Sequence, residues 1–166
     1  MGGGQAGRFI SDEVSRSTLP GRLNSNGVDL NRNWDCNWQP TAIWYNRQVN
    51  PGDAPFSEIE TQLLRDFLTD PPANGVIFLH SAAQSILAGS CGERYPPSDE
   101  LADIYAKGSG YPFKEHFTAY PVTGSAVDWL AQVGIPAIEV ELTNHQELDW
   151  KQNLGGILIT LEILSK

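Results

Sequence analysis

The sequence predicts an α/β domain with three layers, helices lying on both faces of a mixed, mainly parallel sheet. Three observations predict it. Segments of helical period alternate with short apolar runs, which is the pattern of layered α/β domains. The two clearest runs, GVIFL at 75–79 and PAIEVEL at 136–142, are rich in β-branched residues and follow Pro, Asn or Gly. Finally, 166 residues at 40% hydrophobic content supply one core and leave no material for a second domain.

The elements follow in order along the chain. Residues 1–26 carry Gly, Ser, Asn and Arg with little periodicity and read as loop, the first 21 as an irregular arm. A helix is predicted over 57–69, opened by a Ser-x-x-Glu capping box at Ser57 and Glu60, with Ile59, Leu63, Leu64, Phe67 and Leu68 at helical spacing. Pro71 and Pro72 end it, and strand 75–79 then delivers His80 at its C-terminal end. A second helix spans 98–108, closed by glycines, and a short third one spans 125–133 with Gly134 as its C-cap. After strand 136–142 a closing helix covers 148–164, with Leu154, Ile157, Leu158 and Leu161 on one face and Gly155-Gly156 as a weak point.

Twenty acidic residues against eleven basic ones give a net charge of −9 and a pI near 4.6. That balance argues against nucleic acid and anionic membrane as partners, because phosphate binding needs clustered Lys and Arg. No apolar run is long enough to span a bilayer, and MGGGQAGRF lacks the apolar core of a signal peptide, so the chain as written reads as soluble. Secretion would need a leader outside this sequence. The two cysteines, Cys36 and Cys91, are too few for a disulfide scaffold; they pair with each other or remain two buried thiols.

Several residues stand out chemically. His80, at a strand end after four apolar residues, is either a hydrogen-bonded structural histidine or a metal or acid–base group. Glu139 and Glu141 alternate with apolar residues and so share one strand face, as a solvated edge or as a general base with an acidic neighbour. Asn31 and Arg32 offer many donors in one place, suited to a carboxylate, unless Arg32 pairs with Asp29 or Asp35. In α/β sheets ligands sit at the carboxyl ends of strands, so His80, Glu141 and Arg32 have a route to one site. There is no Gly-x-Ser-x-Gly elbow, no phosphate-binding glycine loop and no His-Glu-x-x-His.

Five segments in order, RLNSNGVDLNRNW, SEIET, FLHS, AYPVTGSAVDWL and IEVELTNH, resemble the zinc carboxypeptidases of peptidase family M14. The resemblance runs from Arg22 to the end of the chain. It implies that Asn31 and Arg32 bind the C-terminal carboxylate of a peptide, and that Tyr120, eight residues before Asp128, is the mobile tyrosine that closes over it. It further implies that Arg22 stabilises the oxyanion, that His80 is a zinc ligand and that Glu141 is the general base on the attacking water. Val127 falls at the floor of the side-chain pocket and favours an apolar terminal residue, whereas Glu139, two residues before the base, favours a basic or amino-bearing one.

The implied partner is a peptide with a free C-terminus, cell-wall peptides bearing diaminopimelate included; no partner protein is identifiable. The family draws two more zinc ligands from a His-x-x-Glu motif, and this sequence contains none. The resemblance therefore implies a single, N-terminally truncated domain with an exposed sheet edge, inactive or weak by itself. The alternative is a module that binds peptide C-termini without cleaving them.

Overall fold

The computed structural model describes residues 21–115 and 117–164; His116 and the 1–20 arm lie outside the described residues. The central sheet has four strands, β3 (Val76–Ser81), β4 (Ser85–Ala88), β5 (Phe113–Lys114) and β6 (Ala137–Leu142), in the order β3-β6-β4-β5. β3 runs parallel to β6 and β4 parallel to β5, while β4 and β6 are antiparallel, so the sheet is mixed. Strands β1 (Ala42–Trp44) and β2 (Arg47–Val49) form a separate hairpin. Among the described residues β3 is an edge strand.

Helices cover both faces. On one, α1 (Ile59–Thr69) and α3 (Ala126–Gln132) bring Leu68, Trp129 and Leu130 onto Ala137, with Trp34 and Phe56 packed beside them. On the other, α2 (Pro96–Ser109) sets Leu101, Ala102 and Tyr105 against Ile86, Ile138 and Val140, and α4 (Trp150–Leu164) adds Ile157. Strand alternation thus divides β6: Ile138 and Val140 enter the second core, while Glu139 and Glu141 project to the α1/α3 face. None of the described helices is long and apolar enough to cross a membrane.

Four sequence expectations are corrected. The capping box does not form: Glu58 is the N-cap of α1 without a side-chain cap bond, and Ser57 Oγ donates to Glu58 Oε1 at 2.9 Å instead. The N-terminus of the helix is served by Asn33, whose Oδ1 accepts from Glu58 N at 3.2 Å and from Thr61 Oγ1 at 2.8 Å. The apolar stripe of α1 is largely uncovered, with Ile59, Leu63 and Phe67 at 60%, 63% and 77% exposure. Strand β3 ends at Ser81 rather than Leu79, and His80 stands at its C-terminal end as a member of the ladder.

The fourth correction concerns α4, whose buried residues are Asn153, Gly156 and Thr160, while Leu154, Leu158 and Leu161 face outward. Gly155-Gly156 is the contact face, not a weak point. A Cβ on Gly155 would stand 2.4 Å from Gly108 O, and one on Gly156 would stand 2.6 Å from the Tyr105 ring. Glycine at these places lets the backbones of α2 and α4 touch, and Tyr105 Oη then donates to Asn153 Oδ1 at 2.7 Å across the crossing.

Candidate active site

The NRNW stretch, residues 31–34, splits its four side chains among four tasks. Asp29 caps a single 3-10 turn, Leu30–Arg32, by accepting from Asn31 N. Asn31 Oδ1 accepts from Ala126 N at 3.0 Å and so caps α3 from 95 residues away. Asn33, fully buried, donates from Nδ2 to Pro51 O at 2.7 Å and Ala54 O at 3.0 Å besides its bonds to α1. Trp34 fills the core against Phe56 and Trp129. Arg32, with Asn31 beside it, lines the cavity.

That cavity, about 1190 Å³ in volume, is lined by Arg22, Asn31, Arg32, Tyr120, Val127 and Asp128 together with His80, Glu139 and Glu141. Eight of these nine residues are the site candidates of the sequence, drawn from four of its five motif segments, and the fold brings all eight to one concavity. Gly124 makes the junction possible. At φ +62° it sits where a Cβ would stand 2.4 Å from Arg32 O, so the loop before α3 lies directly on the 3-10 turn.

Arg32 is 2% exposed, yet it makes no ion pair among the described residues. Nη1 donates to Asn31 O at 2.6 Å, and Nε and Nη2 reach Ile43 O only at 3.4 Å. Burial lowers its pKa from the ordinary arginine value, partly offset by the charge of Asp29. Arg22 takes Asp29 for itself, Nε to Oδ2 at 2.6 Å, and lies over the Trp44 ring at 4.9 Å. The sequence alternative of an Arg32–Asp29 pair is therefore replaced by Arg22–Asp29. Tyr120 stacks against Phe117 and Tyr45, and burial raises its phenol pKa, so the hydroxyl keeps its proton.

The parallel register of β3 and β6 sets His80 beside Glu141 and Phe78 beside Glu139. His80 Nδ1 lies 2.7 Å from Glu139 Oε1. Burial alone would lower the imidazole pKa, but the hydrogen bond and charge of Glu139, with the charge of Glu141, outweigh it and raise it. Burial and then the neighbouring Glu139 push the Glu141 carboxyl up. Glu141 Oε2 is buried and has no hydrogen-bond partner. One donor atom from each of His80, Glu139 and Glu141 lies within 4.8 Å of the others, a nitrogen–oxygen set that fits a divalent cation.

Two residues that sequence reasoning left out of the site also line it. Asp128 accepts from Ser90 N at 2.9 Å and Ser125 Oγ at 2.6 Å, and burial raises its pKa; the Ser-x-x-Asp spacing at a helix start was the available signal. His145 lines the same cavity with Nδ1 2.8 Å from Ser81 Oγ, apart from the His80 trio. Val127, 6% exposed, forms part of the wall where Gly89 abuts its carbonyl. Cys36 and Cys91, left open by the sequence, are joined in a disulfide.

A family model described as zinc carboxypeptidase matches residues 7–154. Bovine carboxypeptidase O is 31% identical over 126 residues, which cover 66% of this chain and 34% of that protein. A zinc carboxypeptidase of Simulium vittatum is 29% identical over 131 residues, 69% of this chain and 43% of that one. The chain thus spans well under half the length of these relatives. Among solved structures, the murein-tripeptide amidase MpaA from Escherichia coli O157 shares the fold at a TM-score of 0.66 and 24% identity, over 86% of this chain and 60% of that one. Bovine thrombin-activatable fibrinolysis inhibitor does so at 0.69 and 18%, over 89% and 60%.

Proposed function

The chain belongs to the zinc carboxypeptidase family, and on that premise we propose that its cavity receives the C-terminal carboxylate of a peptide at Arg32 and presents the adjoining amide to Glu141. Arg32 carries the reading. A guanidinium buried without a carboxylate partner, facing a cavity of this size, is costly unless an anion answers it. Asn31 fixes the turn that presents it by capping α3, and Tyr120, kept neutral by burial, has a hydroxyl proton to donate to the same carboxylate.

The reaction is hydrolysis of the terminal amide. The water oxygen bonds to the carbonyl carbon, the C–N bond breaks, and Glu141 takes a proton from the water and returns it to the leaving amine. A carboxyl shifted upward by burial and by Glu139 accepts that proton more readily than an ordinary glutamate. Arg22 lines the cavity and pairs with Asp29 through Nε, which suits its guanidinium to the developing oxyanion. His80, with Glu139 beside it, would hold the zinc ion in this reaction, and the ion when bound would supply Lewis-acid polarisation of the carbonyl. Val127 contacts the terminal side chain in this reading, and Glu139, bound to His80, serves the metal side of the cavity rather than the substrate.

The substrate class is a peptide with a free C-terminus, cell-wall peptides among them. A second reading, a module that holds such termini without cleaving them, is supported by one observation: Asn31, Arg32 and Tyr120 line one cavity of this chain. Titration of a short peptide acid and its C-terminal amide into the protein tests both. Binding of the acid alone is expected, and equal binding of the two overturns the reading. Hydrolysis of the acid by the isolated chain is expected to be absent or very weak; turnover abolished by Glu141→Gln would favour the enzyme over the binder.

A further inference from the structure

We propose that His80, Glu139 and Glu141 form a divalent-cation site contained within this chain, with both carboxylates as ligands. This deepens the reading above and rests on it only for the identity of the ion. The donors sit on two adjacent parallel strands, β3 and β6, whose ladder fixes their spacing: His80 pairs with Glu141 and lies diagonally from Glu139. Their donor atoms already lie within 4.8 Å of one another.

The three side chains satisfy one another only in part. Glu139 Oε1 meets His80 Nδ1 at 2.7 Å, but an imidazole nitrogen carries one proton and answers one carboxylate. Glu141 Oε2 is left buried with no hydrogen-bond partner, next to a second acid on the same strand face. A buried acceptor without a donor and two neighbouring carboxylates are both unfavourable, and a divalent cation removes both penalties at once. One imidazole nitrogen with carboxylate oxygens suits Zn²⁺, Co²⁺ or Mn²⁺.

A functional consequence follows from the ligand count. An ion held by all three residues engages Glu141 as a ligand, and that carboxylate is then unavailable as a base. The chain by itself therefore binds the ion without hydrolysing peptide, and Glu141 is released for proton transfer only where other donors take its place on the metal.

Calorimetric titration with Zn²⁺, absorption spectroscopy with Co²⁺ and thermal melts with and without Zn²⁺ test the site on the disulfide-intact chain. Expected are one-to-one binding, a cobalt absorption band in the visible and a metal-dependent rise in melting temperature. His80→Ala, Glu139→Gln and Glu141→Gln each weaken binding at least tenfold and remove the rise. Melts of the variants in chelator report whether they fold. Absence of binding by the wild-type chain, or wild-type affinity in any one folded variant, overturns the proposal. If the ion fails to bind while the peptide acid still binds, this inference falls and the carboxylate reading stands; the reverse result sinks the carboxylate reading alone.

Discussion

Asp29 Oδ2 accepts from Arg22 Nε at 2.6 Å, and this pairing is what leaves Arg32, three residues further on, buried and without a carboxylate. The two arginines therefore differ in kind. Arg32→Ala is expected to weaken binding of a peptide acid by roughly 10- to 100-fold, the loss of one charge-assisted contact of about 1.5–3 kcal/mol. Arg22→Ala instead frees the buried Asp29 and is expected to lower stability more than peptide affinity. Calorimetric titration beside a urea melt of each variant separates the effects; equal loss of peptide affinity in both would contradict this division.

Asn33 links the 3-10 turn to α1 through both ends of its amide, with acceptors at Pro51 and Ala54 and donors at Glu58 and Thr61. Its removal strands several buried groups together. Asn33→Ala is expected to cost about 2–4 kcal/mol of unfolding free energy, toward the high end for a single substitution. A change in urea midpoint corresponding to less than about 1 kcal/mol would show that water replaces the amide at this site.

The type and order of the main helices and of strands β3 and β6 are legible in the sequence because each has length and period. Strands β4 and β5, of 4 and 2 residues, offer no such pattern, and the 3-residue strands β1 and β2 are recognisable only as a pair. Periodicity also misplaces the buried faces of α1 and α4. Leu63, Phe67 and Leu158 mark faces suited to cover, and nothing among the described residues covers them. The face of α4 that packs instead uses Asn153, Gly156 and Thr160, which read as polar or weak in isolation. At the site, residue identities are readable one by one. Their partnerships are not: the His80–Glu139 contact depends on strand register, and the freedom of Arg32 depends on which arginine reaches Asp29.

The α2/α4 crossing provides a direct test of close packing. A Cβ at Gly108 would lie 2.3 Å from Gly155 O, a contact with backbone that no rotamer change relieves. Gly108→Ala is expected to force the helices apart and destabilise by about 1–3 kcal/mol, even though alanine favours helix over glycine by about 1 kcal/mol. Thermal melts decide the sign, and a stabilised variant would mean that the helices do not touch here.

The Cys36–Cys91 disulfide closes a 55-residue separation and ties the segment after Trp34 to the one after β4. Constraint of the unfolded chain over such a loop is worth about 4 kcal/mol in the chain-entropy account. Reduction, or the double change Cys36→Ser and Cys91→Ser, is expected to lower the urea midpoint accordingly. The reduced chain is also expected to hold peptide acids less well, because the Arg32 turn runs directly into Cys36 at the start of that anchored segment. An unchanged midpoint would place the stability elsewhere.

Asp149 connects three elements: its carboxylate accepts from Tyr111 Oη and from Thr143 N, and its carbonyl accepts from Asn153 N in α4. The loop it secures carries Asn144 and His145 into the cavity wall. The hydrogen bond from Tyr111, followed by that from Thr143, holds the carboxyl below its ordinary range. A folded-state pKa below the unfolded value means that Asp149 contributes stability fully above the unfolded value of about 4, and that this contribution is lost as pH falls through the depressed folded value. Asp149→Asn removes the ionised acceptor. The stability gap between wild type and variant should therefore be constant above about pH 6 and shrink steadily below about pH 4. Urea midpoints across that range measure it. A gap that stays the same down to the acid limit would show that the carboxylate is not held below its ordinary range, and that the loop is secured by shape rather than by charge.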